Sequence, residues 1–242
     1  MKPFIRFIVL FTAPLLVTTT GCFDLEFMAF TNPLVAPADA ELQDELLGSF
    51  VVTEPPEPKM KDAGVFAFAK DQNEPRSSIL HLGKAGKGFP KGFIRWIDVS
   101  HASSGEINVK DSDPCFATKI GNYYLLNIPV GENDEGDDET KKVTQWNPED
   151  YDGYLMVILK PTKTGFTVHW LDEDFFKSEI TAKRLAGKFM TEKQKEEYKK
   201  NPENKWTPFT VEATTKELQV FFKKNAEKLA DSEALMILKR IE

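Results

Sequence analysis

The chain has 242 residues, of which 41% are hydrophobic and 29% charged, and its nineteen Phe favour sheet; these are the proportions of a globular protein able to bury a real core. Its formal charge of −7 excludes a general nucleic-acid binder, which needs a basic footprint, and gives no broad attraction to anionic lipid. Two cysteines exclude a disulfide framework.

Met1–Gly21 reads as a signal peptide, with Lys2 and Arg6 as its basic start and Phe7 to Val17 as its apolar core. That core is too short for a transmembrane helix. Thr19-Thr20-Gly21-Cys22 then resembles the lipobox of bacterial lipoproteins, with Gly21 and Cys22 in place and Thr19 where Leu is usual. The resemblance implies cleavage before Cys22, a lipid anchor on that residue and an extracytoplasmic, membrane-anchored place in a bacterial cell envelope. Loss of Lys2 and Arg6 with the leader takes the charge from −7 to −9. Cys115 is then the remaining thiol. It opens a strand-like run, Cys115–Ile120, with no cation beside it to lower its pKa, and reads as a buried, inert side chain.

Residues 22–38 read as a lipidated tether, broken by Asn32-Pro33 and Ala36-Pro37. Its apolar residues, Phe23 to Phe30, either pack on the body or rest on lipid. Residues 39–242 read as one globular domain. Asp39 is placed as the cap of a short helix carrying Leu42, Leu46 and Leu47 and ended by Gly48. A strand begins at Gly48-Ser49-Phe50. A short helix followed by Gly-x-aromatic entering a strand resembles the opening of lipocalin-type barrels, with Phe50 where Trp is usual; it implies a barrel around a small molecule.

Glu54–Pro58 reads as a stiff surface loop. Val65–Ala69 and Ser78–Leu82 read as strands around a turn at Asp71–Pro75. Gly83-Lys84-Ala85-Gly86-Lys87-Gly88 invites a phosphate reading but lacks the P-loop spacing and the following helix, so it reads as a basic loop leading to a strand at Phe93–Val99. Phe116–Ile120, Gly121-Asn122 and Tyr123–Val130 spell a hairpin with a primed turn. Its register sets Ile120 opposite Tyr123, Thr118 opposite Leu125 and Phe116 opposite Asn127. Pro129 marks a strand end or edge. The acidic run Gly131–Glu139 fails the EF-hand template at positions 1 and 12 and reads as a solvated loop.

Tyr154–Leu159 is apolar at every position, the pattern of a central strand buried on both faces. Phe166–Trp170 alternates, with Phe166, Val168 and Trp170 on one face. Asp172 is placed as the cap of a helix reaching nearly to Gly187. Met190–Lys205 is dense in Lys and Glu and reads as an exposed helix broken at Asn201-Pro202. Phe209–Val211 is a short strand. Thr214 and Glu217 have capping-box spacing before a helix with Leu218, Phe221, Phe222 and Leu229 on one side. Ala234–Ile241 ends the chain as a strand. The fold class is therefore α+β: a largely antiparallel, partly curled sheet with two C-terminal helices packed on it.

No catalytic constellation emerges. His81, His101 and His169 have no metal-ligand spacing, and there is no nucleophile elbow or dinucleotide fingerprint. His101 precedes Ser103 and Ser104, but nearness in sequence is not triad geometry. Asp172 and Asp174 offer carboxylates, of which the first is explained by capping. No cofactor and no catalytic or metal-ligating residue is assigned; Cys22, as a lipid-attachment site, is the one site residue. The leading expectation is a noncatalytic lipoprotein that binds an envelope protein or serves structurally. A small-molecule barrel with a small apolar ligand is the alternative, and an enzyme with a dispersed site is the third reading.

Overall fold

The computed structural model describes residues 28–53, 78–101, 107–111, 114–130, 145–200, 209–230 and 233–241. The leader, Cys22, the Pro-rich loop, Val65–Ala69 and the acidic run lie outside them. In chain order the strands are β1 (Ala29–Phe30), β2 (Gly48–Thr53), β3 (Ser78–Lys84), β4 (Phe93–His101), β5 (Ile107–Asp111), β6 (Cys115–Ile120), β7 (Tyr123–Val130), β8 (Gly153–Thr162) and β9 (Gly165–Trp170). After β9 come helix α1 (Glu173–Thr181), β10 (Gly187–Phe189), helix α2 (Glu192–Lys200), β11 (Phe209–Val211), helix α3 (Thr215–Asn225) and β12 (Met236–Arg240).

The sheet is mostly antiparallel and closes on itself. Eight strands follow one another around a barrel in the order β8, β7, β6, β4, β3, β2, β12, β9, and β9 pairs again with β8. Every barrel pairing is antiparallel. Closure removes the open edges that a partly curled sheet would leave. β5 continues the line of β6 along β4: Ile94 faces Cys115 and Ile97 faces Asp111.

The hairpin of β6 and β7 forms in the register its turn dictates, with Ile120 on Tyr123, Thr118 on Leu125 and Phe116 on Asn127. Gly121 at φ 56° supplies the left-handed step at its tip. β8 is buried on both faces for the reason its unbroken apolar run suggests. Leu155, Val157 and Leu159 face the barrel interior, while Met156 and Ile158 lie under an outer layer. That layer contains α1 and α3, which contribute Phe176, Leu218, Phe221 and Phe222, and a three-stranded flap of β1, β10 and β11. Phe30 meets Phe176 edge-on at 5.6 Å between ring centres.

Helix ends follow local chemistry. Asp172 Oδ1 accepts the Phe175 N–H at 2.9 Å and caps α1. Thr214 and Glu217 form the expected capping box at α3. Two local expectations are corrected. α1 ends at Thr181, not near Gly187: Lys183 takes φ 55° and turns the chain, Leu185 is buried, and Gly187 begins β10. The stretch around Asp39 makes short 3-10 turns at Pro37–Asp39 and Asp44–Leu46, and Asp39 ends the first of them without capping a helix.

Residues 28–47 wrap the body as a strap. Met28, Phe30 and Leu34 are buried in the outer layer, and Ala40 crosses Gly92. A Cβ on Gly92 would overlap the carbonyl oxygen of Ala40, so glycine is what lets the strap lie flat. Among the described residues, no helix is long and apolar enough to cross a membrane.

Candidate functional site: the barrel interior

Alternation along the barrel strands points one residue in two inward. Because those positions are apolar, the interior is a second core, separate from the layer under the helices. Its two halves differ.

One end is filled. Phe50 of β2, Phe166 of β9 and Tyr124 of β7 meet there, with ring centres 5.8 Å apart for Phe50–Phe166 and 6.0 Å for Tyr124–Phe166. Leu46, fully buried, packs into the same cluster from the 3-10 turn preceding β2. Arg240 at the end of β12 lays its guanidinium 4.8 Å from the centre of the Phe50 ring. It also donates to the carbonyl of Leu47 at 2.7 Å and to that of Glu45. Glu45 lies 3.7 Å from Lys119 Nζ, which sits 5.2 Å from the centre of the Tyr124 ring. A backbone N–H donated to the Glu45 carboxylate, together with Lys119, holds that carboxyl below its ordinary pKa.

The other half is hollow. A cavity lies in the half of the tube where β2 finishes and β3 and β12 begin, bounded by Leu80, Trp96, Leu126, Val157, Val168 and Met236 among others. The cavity is small, about 50 Å³, where one water needs on the order of 10–15 Å³. Asp98 on β4 is the one charged residue on its wall.

The sequence-derived candidates do not converge on this space. His81 is exposed on β3 and meets Ser49 Oγ at 2.6 Å through Nδ1. His169 is 5% exposed on the outer face of β9; its Nδ1–H donates to the Glu233 carbonyl at 3.1 Å and its Nε2 meets Thr167 Oγ1 at 3.0 Å. Two strands, β2 and β12, separate those histidines, a gap of about 14 Å at the usual strand spacing. His101 ends β4. Asp172 is occupied as a cap, and Asp174 is exposed in the first turn of α1. Cys115 points into the barrel with no exposed surface, and burial pushes its thiol pKa up, away from nucleophilic reactivity. Among the described residues, no three His, Cys, Asp or Glu side chains gather as a metal site.

Sequence reasoning missed Arg240 and Asp98. Both were visible as breaks in an inward row: Met236, Leu238, Arg240 on β12, and Ile94, Trp96, Asp98 on β4. What the arrangement offers chemically is apolar contact inside a tube filled at one end. No protein-family model, no curated protein and no solved structure matches the chain.

Proposed function

We propose that this is a noncatalytic binding barrel whose hollow half holds a slender apolar guest, carried on a chain anchored to a bacterial envelope membrane through lipid on Cys22. The observation that supports the binding reading is the asymmetry of the interior. Aromatic rings and Arg240 fill one end, while the other half keeps an empty apolar cavity. Side chains usually fill the inside of an eight-stranded barrel or leave space for one small ligand. Here both occur in one tube. The opening at Gly48-Ser49-Phe50, with its lipocalin-like pattern, agrees with this reading.

The anchor reading rests on the leader and on Gly21-Cys22. Cys22→Ser is expected to abolish incorporation of radiolabelled fatty acid and to move the chain out of the membrane fraction; retained label would refute it. The binding reading is tested by native mass spectrometry of the protein purified from its own host in mild detergent. A small mass lost on denaturation, of hydrocarbon-like composition, is expected. A second protein at fixed stoichiometry, with no small molecule, would instead support the interaction role.

A further inference from the structure

The segment joining β3 to β4 carries three lysines, Lys84 at the end of β3 and Lys87 and Lys91 in the loop, and no acidic residue from Gly83 to Gly92. All three are exposed, and none of them forms an ion pair with any described residue. In a chain of net charge −7 that is a local reversal of sign. Asp39 and Glu41 lie on the strap nearby, flanking Ala40, and neither pairs with the loop.

The loop is also held in shape. Ala85 N–H donates to Phe93 O at 3.0 Å, Phe93 N–H to Pro90 O at 3.0 Å, and Trp146 N–H to Gly88 O at 2.8 Å. Phe89, half-buried, stacks on Phe93 at 6.2 Å and carries Arg95 at 5.5 Å from its ring centre. Trp146, also half-buried, packs on Phe93 at 4.8 Å. Cations ranged around partly exposed aromatic rings suit the headgroup level of a bilayer, where rings sit at the boundary and ammonium groups meet lipid phosphates.

The same flank receives the start of the folded chain. Val35 of the strap joins Ala85, Phe89 and Trp146 in one apolar cluster. Phe30 pairs with Tyr154, which belongs to that cluster too. Cys22 precedes Met28 by six residues, a reach of at most about 20 Å. An anchor on Cys22 therefore holds Met28, at the start of the strap that runs on to this flank, within about 20 Å of its membrane.

We propose that the Lys84–Lys91 loop, with Phe89 and Trp146, is a docking surface for the anionic lipid headgroups of the bilayer that holds the Cys22 anchor. The identity of that bilayer rests on the anchor reading; the loop's affinity for anionic lipid does not, and the test separates the two. The full-length Cys22→Ser chain, which cannot be lipidated, is floated with vesicles of phosphatidylcholine alone or with 30% phosphatidylglycerol, at low and high salt. Binding to the anionic vesicles at low salt should exceed binding to neutral ones and fade as salt rises. In the same background, Lys84→Gln/Lys87→Gln/Lys91→Gln should lower the anionic-vesicle partition coefficient on the order of 100-fold, about fivefold per lysine, and leave neutral-vesicle binding unchanged. Lys163→Gln/Lys216→Gln/Lys223→Gln makes the same change in net charge elsewhere and should lower it far less. Equal binding to both vesicle types, an unaffected loop variant, or an equal loss in the control variant would overturn the proposal. If the loop binds lipid but Cys22 takes no fatty-acid label, the anchor reading fails and the docking surface stands.

Discussion

Cys115 is a titratable group sealed inside the barrel, and its chemistry makes a sign-definite prediction. Burial raises its pKa in the folded protein, whereas in the unfolded chain it returns to about 8.5. Below that ordinary value both states keep the proton and folding loses nothing. Above it the unfolded thiol ionises and the native one does not, so stability falls as pH rises. The slope for one such group is about 1.4 kcal/mol per pH unit. Chemical denaturation from pH 8 to 10.5 should show it, and Cys115→Ala should flatten the profile by that amount. An identical slope in Cys115→Ala would mean that the thiol is not held protonated. At this scale the sequence was informative: a Cys opening an apolar strand with no neighbouring cation reads correctly as inert. Arg240 was harder, because an Arg near a C-terminus reads as surface until the strand opposite it places Phe50 beneath it.

Among the elements, those with a local signal were legible and those made by distant partners were not. The β6–β7 hairpin was readable to the residue, because a two-residue Gly-Asn turn fixes register. β8 and β9 declared their faces through their apolar patterns. The α1 terminus was misplaced because Lys183, not a glycine, takes the left-handed turn. β1 gave no strand signal; it is two residues long and exists through partners about 125 and 180 positions away along the chain. The strap depends in the same way on Asn127. That side chain is fully buried, accepts the Leu34 N–H at 3.0 Å and donates to the Phe116 carbonyl at 3.3 Å. In Asn127→Ala the Leu34 N–H loses its partner inside the fold, at a cost of about 1–3 kcal/mol. Hydrogen exchange at the Leu34 amide should speed by at least tenfold, with the β6–β7 ladder unchanged. Unchanged protection at Leu34 would mean that the strap is held elsewhere.

For the whole molecule, the antiparallel sheet and the helices packed on it were legible, and closure was legible only through the barrel that the Gly48-Ser49-Phe50 resemblance implied. Nothing local in Met236–Arg240 says that it bridges β2 and β9, yet those two pairings turn a curled sheet into a tube and create an inside. The cavity is a further step away, since it is what remains after Phe50, Tyr124 and Phe166 have filled their end. The same strands with a larger side chain at the hollow end would make a solid barrel. Val157 lies on the cavity wall in the middle of β8, fully enclosed, and Val157→Phe would place a ring in the empty space. The central claim is tested most directly by titrating delipidated wild-type protein and Val157→Phe with a fluorescent straight-chain fatty acid, with near-UV circular dichroism confirming that both are folded. Saturable one-to-one binding in the wild type, weakened at least tenfold in the folded variant, is the expected result. Equal binding by the two would place the guest outside the barrel, and no binding by either would contradict the account of the hollow end as a ligand site.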